Sequence, residues 1–269
     1  LFPYTTLFRS STGLEKFADT QVIIWPETAF PSRVRSGSSI DRFQNKLRYS
    51  INTFNTPLLT GAYEEDEQNH VYNSLVHFNR QGQYVDSYSK TYLLAFGEYF
   101  PGAQLYPKLK KWFPMVSDFS RGEGPKTLLL NDQIKVGAQI CYESLFDDFS
   151  RQLIQQGSQV IVNITNDSWF GKAAEPYQHG YMTLARAIEF RTPLVRSTNT
   201  GITMAIEASG KISEKSPLHE EWVGQFTVPY ASKPQRTIYS YYAGYWPYII
   251  GLTLILLFLG GRIVKPRKS

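Results

Sequence analysis

The chain is poor in the residues that build covalent or metal frameworks. Among its 269 residues there is one cysteine, Cys141, so no intramolecular disulfide can form and no cysteine-based zinc site can be assembled. The four histidines, His70, His77, His179 and His219, fall in neither an HExxH pattern nor any other close metal-ligand spacing. No metal and no cofactor is therefore expected. Between residues 11 and 236 there is no low-complexity run, internal repeat or charge block, which points to one compact domain. Excess charge is scarce too. Lys and Arg number 28 against 23 Asp and Glu, but Arg262, Lys265, Arg267 and Lys268 fall in the last eight residues, and without them the balance is 24 to 23. A nucleic-acid partner loses its electrostatic basis, and none is expected.

Aromatic residues are abundant: 18 Tyr, 17 Phe and 5 Trp make 15% of the chain. That suits a protein that meets apolar ligands or a bilayer interface, and a large β-rich core would use them as well. With 42% hydrophobic and 19% charged residues, the sequence is neither disordered nor collagen-like and can bury one large core.

The two ends of the chain differ from the middle. Residues 1–10 (LFPYTTLFRS) match the in-frame translation of a common sequencing-adapter oligonucleotide and are set aside as an assembly scar. On that reading the natural chain begins before Ser11 and has lost an N-terminal part. An intact genomic frame running through these ten residues would overturn it. At the other end, residues 237–261 (TIYSYYAGYWPYIIGLTLILLFLGG) carry no charge, and the most apolar part, 243–261, has 19 residues. As a helix it would be about 28 Å long, close to the ~30 Å hydrocarbon thickness. Tyr239, Tyr241, Tyr242, Tyr245, Trp246 and Tyr248 crowd its start and the basic tail 262–269 follows its end. The expectation is a transmembrane helix with a cytoplasmic C-terminus, and everything before Thr237 on the outer side of the cytoplasmic membrane.

Between the ends, short β-branched runs predict strands at 21–25 (QVIIW), 57–60, 71–78, 134–140 (IKVGAQI), 159–164 (QVIVNI), 194–197 and 202–206. Helical patterns lie at 39–53, 145–156 and 177–190, so the class is α/β or α+β with a large sheet component. Residues 100–119 (FPGAQLYPKLKKWFPMVSDF) have three prolines and no clean period, and are expected to form an exposed apolar loop or lid.

Cys141 ends a strand-like run and is followed at once by a helical pattern. A residue there is lifted onto a strand-to-helix turn, where the next backbone N–H points at whatever is bonded to it. Taken alone, such a cysteine is more often a small buried hydrophobe. Its company changes that. Glu27 ends VIIWPE and Lys90 closes YSK, so a base, a cation and a thiol each sit at a strand end, which is what thiol-based acyl transfer needs.

These motifs, IWPETAFP at 24–31, Lys90 followed by FGEYFP at 96–101, and CYE at 141–143, resemble the nitrilase superfamily of carbon–nitrogen hydrolases. More narrowly they are similar to its membrane branch, the apolipoprotein N-acyltransferases. The spacings of 63 residues from Glu27 to Lys90 and 51 from Lys90 to Cys141 suit that family, as do NITNDSWFG at 163–171 and RSTNTG at 196–201. The resemblance implies an αββα sandwich at 11–236, without the strand and helix that precede the IIWPE strand in the family and without its bundle of membrane helices. It implies Glu27 as general base, Lys90 stabilising the tetrahedral intermediate and Cys141 as nucleophile. Glu98 and Glu143 would orient Lys90 and the acyl chemistry, Tyr142 would supply the backbone N–H after the nucleophile, and Trp169 would border the site. The 100–119 stretch would correspond to mobile apolar arms that admit lipid.

The implied reaction is ping-pong, on the periplasmic side of a bacterial inner membrane. Cys141 takes an acyl chain from a phospholipid, and the thioester passes it to the α-amine of a diacylglyceryl-cysteine apolipoprotein. The lipid bilayer, a phospholipid donor and an apolipoprotein acceptor are thus the expected partners. Two alternatives remain: an amidase hydrolysing a small amide with the same three residues, and a membrane-tethered scaffold in which they are inert.

Overall fold

A computed structural model describes residues 20–35, 55–103, 105–106, 108, 112–113, 116–171, 174–220 and 222–263. The opening ten residues, the helix expected at 39–53 and residues 264–269 of the basic tail lie outside these.

Two sheets carry the fold. In the first, β3 (Leu58–Glu65), β4 (Val71–Phe78) and β5 (Tyr84–Ser89) run antiparallel in order, while β1 (Ile23–Ile24) and β2 (Phe30–Arg35) pair in parallel, one after the other, along the free side of β3. In the second, β6 (Thr127–Leu130), β7 (Ile134–Ile140), β8 (Val160–Thr165), β9 (Leu194–Thr198), β10 (Met204–Ile206) and β11 (Ile212–Lys215) are ordered β11-β10-β9-β8-β7-β6. Only β7, β8 and β9 are mutually parallel. Parallel neighbours need a crossover, and the helices α1 (Asp147–Gln155) and α2 (Glu175–Phe190) supply the two.

The core follows from alternation. Val136, Ala138 and Ile140 of β7 and Val162 and Ile164 of β8 join Leu59, Leu75 and Tyr88 of the first sheet in one buried cluster that also takes Phe149 and Leu153 of α1. Ile161, one residue out of phase, packs instead with Ala187 and Phe190 of α2. A strand side chain one position on faces the other way, so Asn163 shares the helix side with Ile161. A third cluster, with Trp25, Phe30, Val34, Leu58, Ala62, Val76 and Phe78, buries the outer face of the first sheet.

The expected strands at 71–78 and 134–140 form with those bounds, and the one expected at 202–206 is shortened to Met204–Ile206. Strand β5 supplies the strand end expected at Lys90, and strands β2, β6 and β11 are additions. They are an FPSRVR segment broken by proline and arginine and two four-residue pieces, too irregular or too short for period-2 reading.

After β11 the chain reaches α3 (Ile238–Tyr242), a 3-10 turn at Ala243–Tyr245 and α4 (Trp246–Ile263). The continuous helix expected over 237–261 is thus interrupted just before Pro247, which lies in the first turn of α4 where its missing N–H leaves no bond unmade. Ile238–Gly260 is 23 residues long; its most apolar 18-residue window has mean hydropathy 1.7, and only 6% of that window is buried. A core helix would bury a face; this one exposes Leu252, Leu254, Leu256, Leu257 and Phe258 alike. By length and composition it can cross a membrane. Its base is tied to the domain, because Tyr239 Oη donates to Asp147 Oδ2 at 2.8 Å and its ring packs on Phe190.

Candidate active site

The site forms where several strands end. After β1 the chain leaves the sheet at Pro26 and re-enters as β2, so residues 26–28 arch over β3. Gly61 makes the arch possible: a Cβ there would lie 2.6 Å from Glu27 Cα and 2.7 Å from Pro26 O. Thr28 takes a left-handed φ of 57° to complete the turn. Glu27 is thereby held buried, 5% exposed. Its Oε1 accepts from Asn73 Nδ2 at 2.6 Å and its Oε2 from the backbone N–H of Asn166 at 2.8 Å, just beyond the end of β8.

Lys90 follows β5 directly and is 1% exposed. Its Nζ donates to Glu98 Oε1 at 2.9 Å and lies 3.6 Å from Glu27 Oε1. Asn73 Nδ2 also donates to Glu98 Oε1, at 2.9 Å, so one amide bridges both carboxylates around the ammonium. Glu98 is oriented in turn by the backbone N–H of Leu94 at 2.8 Å. Burial works to lower the Lys90 pKa, but Glu27, Cys141 and Glu98 outweigh it and hold the group above the ordinary lysine value. Burial raises the pKa of Glu27, with Glu98 adding to it, against the opposing pull of Lys90 and of the Asn73 and Asn166 hydrogen bonds.

Cys141 is half-buried and sits at φ 56°, a left-handed conformation that a side chain adopts only under tertiary constraint. The constraint is Glu143. It is fully buried, and its Oε2 accepts from Ile140 N at 2.9 Å, the reach-back half of a capping box. Its Oε1 accepts from Tyr88 Oη (2.7 Å), Thr91 N (2.8 Å) and Tyr92 N (3.0 Å). One carboxylate therefore ties the nucleophile turn to the segment that follows Lys90. Burial lifts the Glu143 pKa to about 7 despite these donors. From behind, Asn163 Nδ2 donates to Cys141 O at 2.9 Å. Burial pushes the Cys141 thiol up to about 12, with Glu27 and Glu98 adding to it, against Lys90 and the Thr165 hydroxyl. The resting sulfur is a thiol, electrostatically coupled to both Glu27 and Lys90.

Replacing Glu143 by Gln keeps the volume but turns an amide N–H₂ toward one set of backbone donors. The expected cost is about 1–3 kcal/mol of stability, with a several-fold change in the alkylation rate of Cys141 as its turn relaxes. Urea titration and iodoacetamide labelling test this; unchanged values in both would show that the turn holds itself.

A second polar layer lies under the first, and residue-level reading of the sequence assigned it no role. Arg196 of β9 is fully buried, with Nη1 donating to Asn163 Oδ1 and Nη2 to Asp167 Oδ2, both at 2.8 Å. His179 Nδ1 stands 3.1 Å from Arg196 Nη2 and 3.2 Å from Asp167 Oδ1. Asp167, Glu175 and His179 bring potential metal-ligand atoms within 4.8 Å of one another, and the cation among them is the Arg196 guanidinium. Asn163 and Arg196 share one signal that could have found them: each directly follows apolar β-strand residues, in VIVNIT and LVRST, whereas Asn73 shares its strand with Ser74 and His77 and stands out less.

Tyr142 is half-buried with its ring 5.4 Å from Lys90 Nζ. With Tyr92, Leu93, Arg121 and Phe146 it lines an open, shallow cavity of about 280 Å³. Trp169 is 79% exposed on the turn that Asn166 caps. In the 100–119 stretch, Leu105, Tyr106 and Trp112 are 72–81% exposed, and Phe100 stacks on Phe113 at 4.8 Å. Residues 104, 107, 109–111 and 114–115 of that stretch lie outside the description.

Comparison with known proteins adds to this geometry. The carbon–nitrogen hydrolase family model matches residues 11–232. The chain is 44% identical over 265 residues to an apolipoprotein N-acyltransferase of Bdellovibrio bacteriovorus, covering 94% of this chain and 47% of that protein. It spans about half the length, or less, of the first curated relatives it matches. Among solved structures it is similar to Saccharomyces cerevisiae Nit3, a nitrilase-superfamily member, with a TM-score of 0.64 at 19% identity over 81% of this chain and 82% of that one. It is also similar to an amidase from Nesterenkonia sp. AN1 in which acrylamide has added at the active-site cysteine, with a TM-score of 0.59 at 16% identity over 81% and 85%.

Proposed function

The chain belongs to the carbon–nitrogen hydrolase family, and from that premise we propose that it carries the catalytic domain of a membrane N-acyltransferase that acylates bacterial apolipoproteins. The observation that carries this reading is the exposed apolar helix Ile238–Gly260, whose base is pinned by Tyr239 to Asp147 of α1, the helix that follows the Cys141 turn. A thiol held this way beside a bilayer meets acyl esters rather than small soluble amides. The similarity to apolipoprotein N-acyltransferases along 94% of the chain supports the same choice. In this reading residues 11–236 are catalytic, 237–261 cross the inner membrane, and the tail 262–269 is cytoplasmic.

The chemistry follows from the site. Glu27 takes the Cys141 proton as sulfur attacks the ester carbonyl of a phospholipid, and Lys90 faces the oxyanion of the tetrahedral intermediate. Moving the proton from Cys141 to Glu27 leaves the net charge of the cluster unchanged, so it exacts no further desolvation of a new ion. Collapse breaks the C–O bond, and Glu27 returns the proton to the departing lysophospholipid alcohol. In the second half, the α-amine of the acceptor attacks the thioester. The C–N bond forms, the C–S bond breaks, and the amine proton passes through Glu27 to the thiolate. Glu98 holds Lys90 in place, and Tyr142 offers its backbone N–H beside the sulfur.

The test is the covalent half-reaction. The full-length protein, purified from membranes and given phospholipid, should yield a hydroxylamine-labile acyl group on the Cys141 peptide by mass spectrometry, absent from Cys141→Ala. A protein that retains phospholipid but forms no adduct, and instead hydrolyses a small aliphatic amide, would replace this reading with an amidase.

A further inference from the structure

Of the residues lining the cavity beside the candidate site, one is charged, Arg121, and neither the motifs nor the family comparisons assign it a role. Arg121 lies in a segment fastened by its backbone to the start of β4, to Glu98 and to Lys90 just past β5. Ser120 N donates to Val71 O at 2.8 Å, Phe119 N to Glu98 O at 3.0 Å and Gly122 N to Lys90 O at 2.9 Å. A Cβ on Gly122 would lie 1.9 Å from Ser89 O, so only glycine permits this approach. Arg121 is therefore set beside Lys90 by main-chain geometry. Its guanidinium packs over the Tyr99 ring at 5.2 Å, a contact that leaves its N–H groups available to an anion. Among the described residues no carboxylate is paired with it.

We propose that Arg121 binds the phosphodiester of the acyl donor while the donor's ester carbonyl stands at Cys141. The proposal rests on the phospholipid-donor reading above and names the group that recognises that substrate. Its argument is electrostatic. Glu27 and Glu98 place two carboxylates at the site, and the buried cation between them, Lys90, is already engaged by both. An anionic headgroup approaching such a cluster is repelled unless a separate cation meets it. Arg121 is that cation: it is exposed, stacked and lines the same cavity as Tyr142, the residue after the nucleophile. A planar guanidinium matches two phosphate oxygens where an ammonium would offer one point of charge. The apolar walls, Tyr92, Leu93, Tyr142 and Phe146, suit the glycerol ester and first methylenes of the chain between phosphate and thiol.

The experiment compares two donors in the full-length protein in mixed micelles: phosphatidylglycerol and diacylglycerol with the same acyl chains, which lacks the phosphate. The readout is the ratio of their single-turnover rates of Cys141 acylation. Arg121→Gln should lower that ratio at least tenfold, Arg121→Lys should lower it less, and Lys211→Ala, which removes an exposed cation in the β10–β11 turn, should keep the wild-type ratio. Equal ratios in wild type and Arg121→Gln would overturn the proposal and leave the acyltransferase reading standing. If inorganic phosphate blocks acylation but Arg121→Gln keeps the ratio, the anion site is not a headgroup site, which overturns it equally. Wild-type protein that forms no adduct with either donor would overturn the donor reading itself, and the Arg121 proposal with it.

Discussion

Glu27→Gln should slow acylation of Cys141 by about 10²–10⁴-fold in a single turnover while making the thiol more acidic, and the opposite signs of the two effects identify a general base. With the thiol pushed up to about 12, the thiolate fraction at neutral pH is on the order of 10⁻⁵. After burial, the Glu27 carboxylate is the largest cause of that shift. Removing its charge therefore brings the Cys141 pKa down, and alkylation by a small reagent should develop at lower pH than in wild type. Acylation falls nonetheless, because the glutamine cannot take the proton as the C–S bond forms. A merely repulsive carboxylate would give the reverse, faster acylation on removal. The acidic limb of the wild-type pH–rate profile should lie above the ordinary glutamate value of 4.5, since burial raises Glu27, and should vanish in the variant. Acylation within tenfold of wild type, with the limb intact, would remove Glu27 from the proton path.

The three positions were legible because each residue closes a strand-like run, where the strand ends and the next side chain is released from the sheet. VIIWPE, YSK and QIC all show it. What the pattern could not convey is how the strands pair. Strands β1 and β2 share one side of β3, and the gap between them, which holds Glu27, exists because Gly61 lacks a side chain; nothing local to either segment encodes that contact. Phe30–Arg35 was missed for the same reason, since proline and two arginines spoil alternation that only the neighbouring β3 can rescue. Glu98 and Glu143 were marked through family resemblance alone. Their geometry separates them: Glu98 touches Lys90, whereas Glu143 touches backbone and positions the turn. The second polar layer was visible only as an anomaly. An Asn in VIVNIT and an Arg in LVRST break apolar strands that are buried on both faces, and burying such groups demands partners that sequence spacing does not reveal.

That layer carries the last prediction. Arg196→Ala should cost about 3–5 kcal/mol of unfolding free energy, because it strands the Asp167 carboxylate and the Asn163 carbonyl in a site with no exposure. The double variant Arg196→Met with Asp167→Leu removes both charges and should recover most of that loss, as buried pairs replaced by apolar volume commonly do. The pH dependence has a defined sign. Burial would raise the Asp167 pKa, but the His179 hydrogen bond and the Arg196 charge outweigh it and hold it below 3.8. Its stabilisation is therefore present above that value and lost as pH falls through the folded pKa; Arg196→Ala should erase this contribution. Urea titrations in detergent across pH measure both effects, and a single-variant cost under about 1 kcal/mol would show that the pair contributes little. The double variant then separates stability from chemistry. Asn163 reaches from Arg196 to the Cys141 carbonyl, and the Asn166 N–H beside Asp167 holds Glu27, so the ion pair sits between the supports of nucleophile and base. A refolded double variant with acylation still reduced would make the pair a positioning unit, while full activity would confine it to holding the sheet and α2 together.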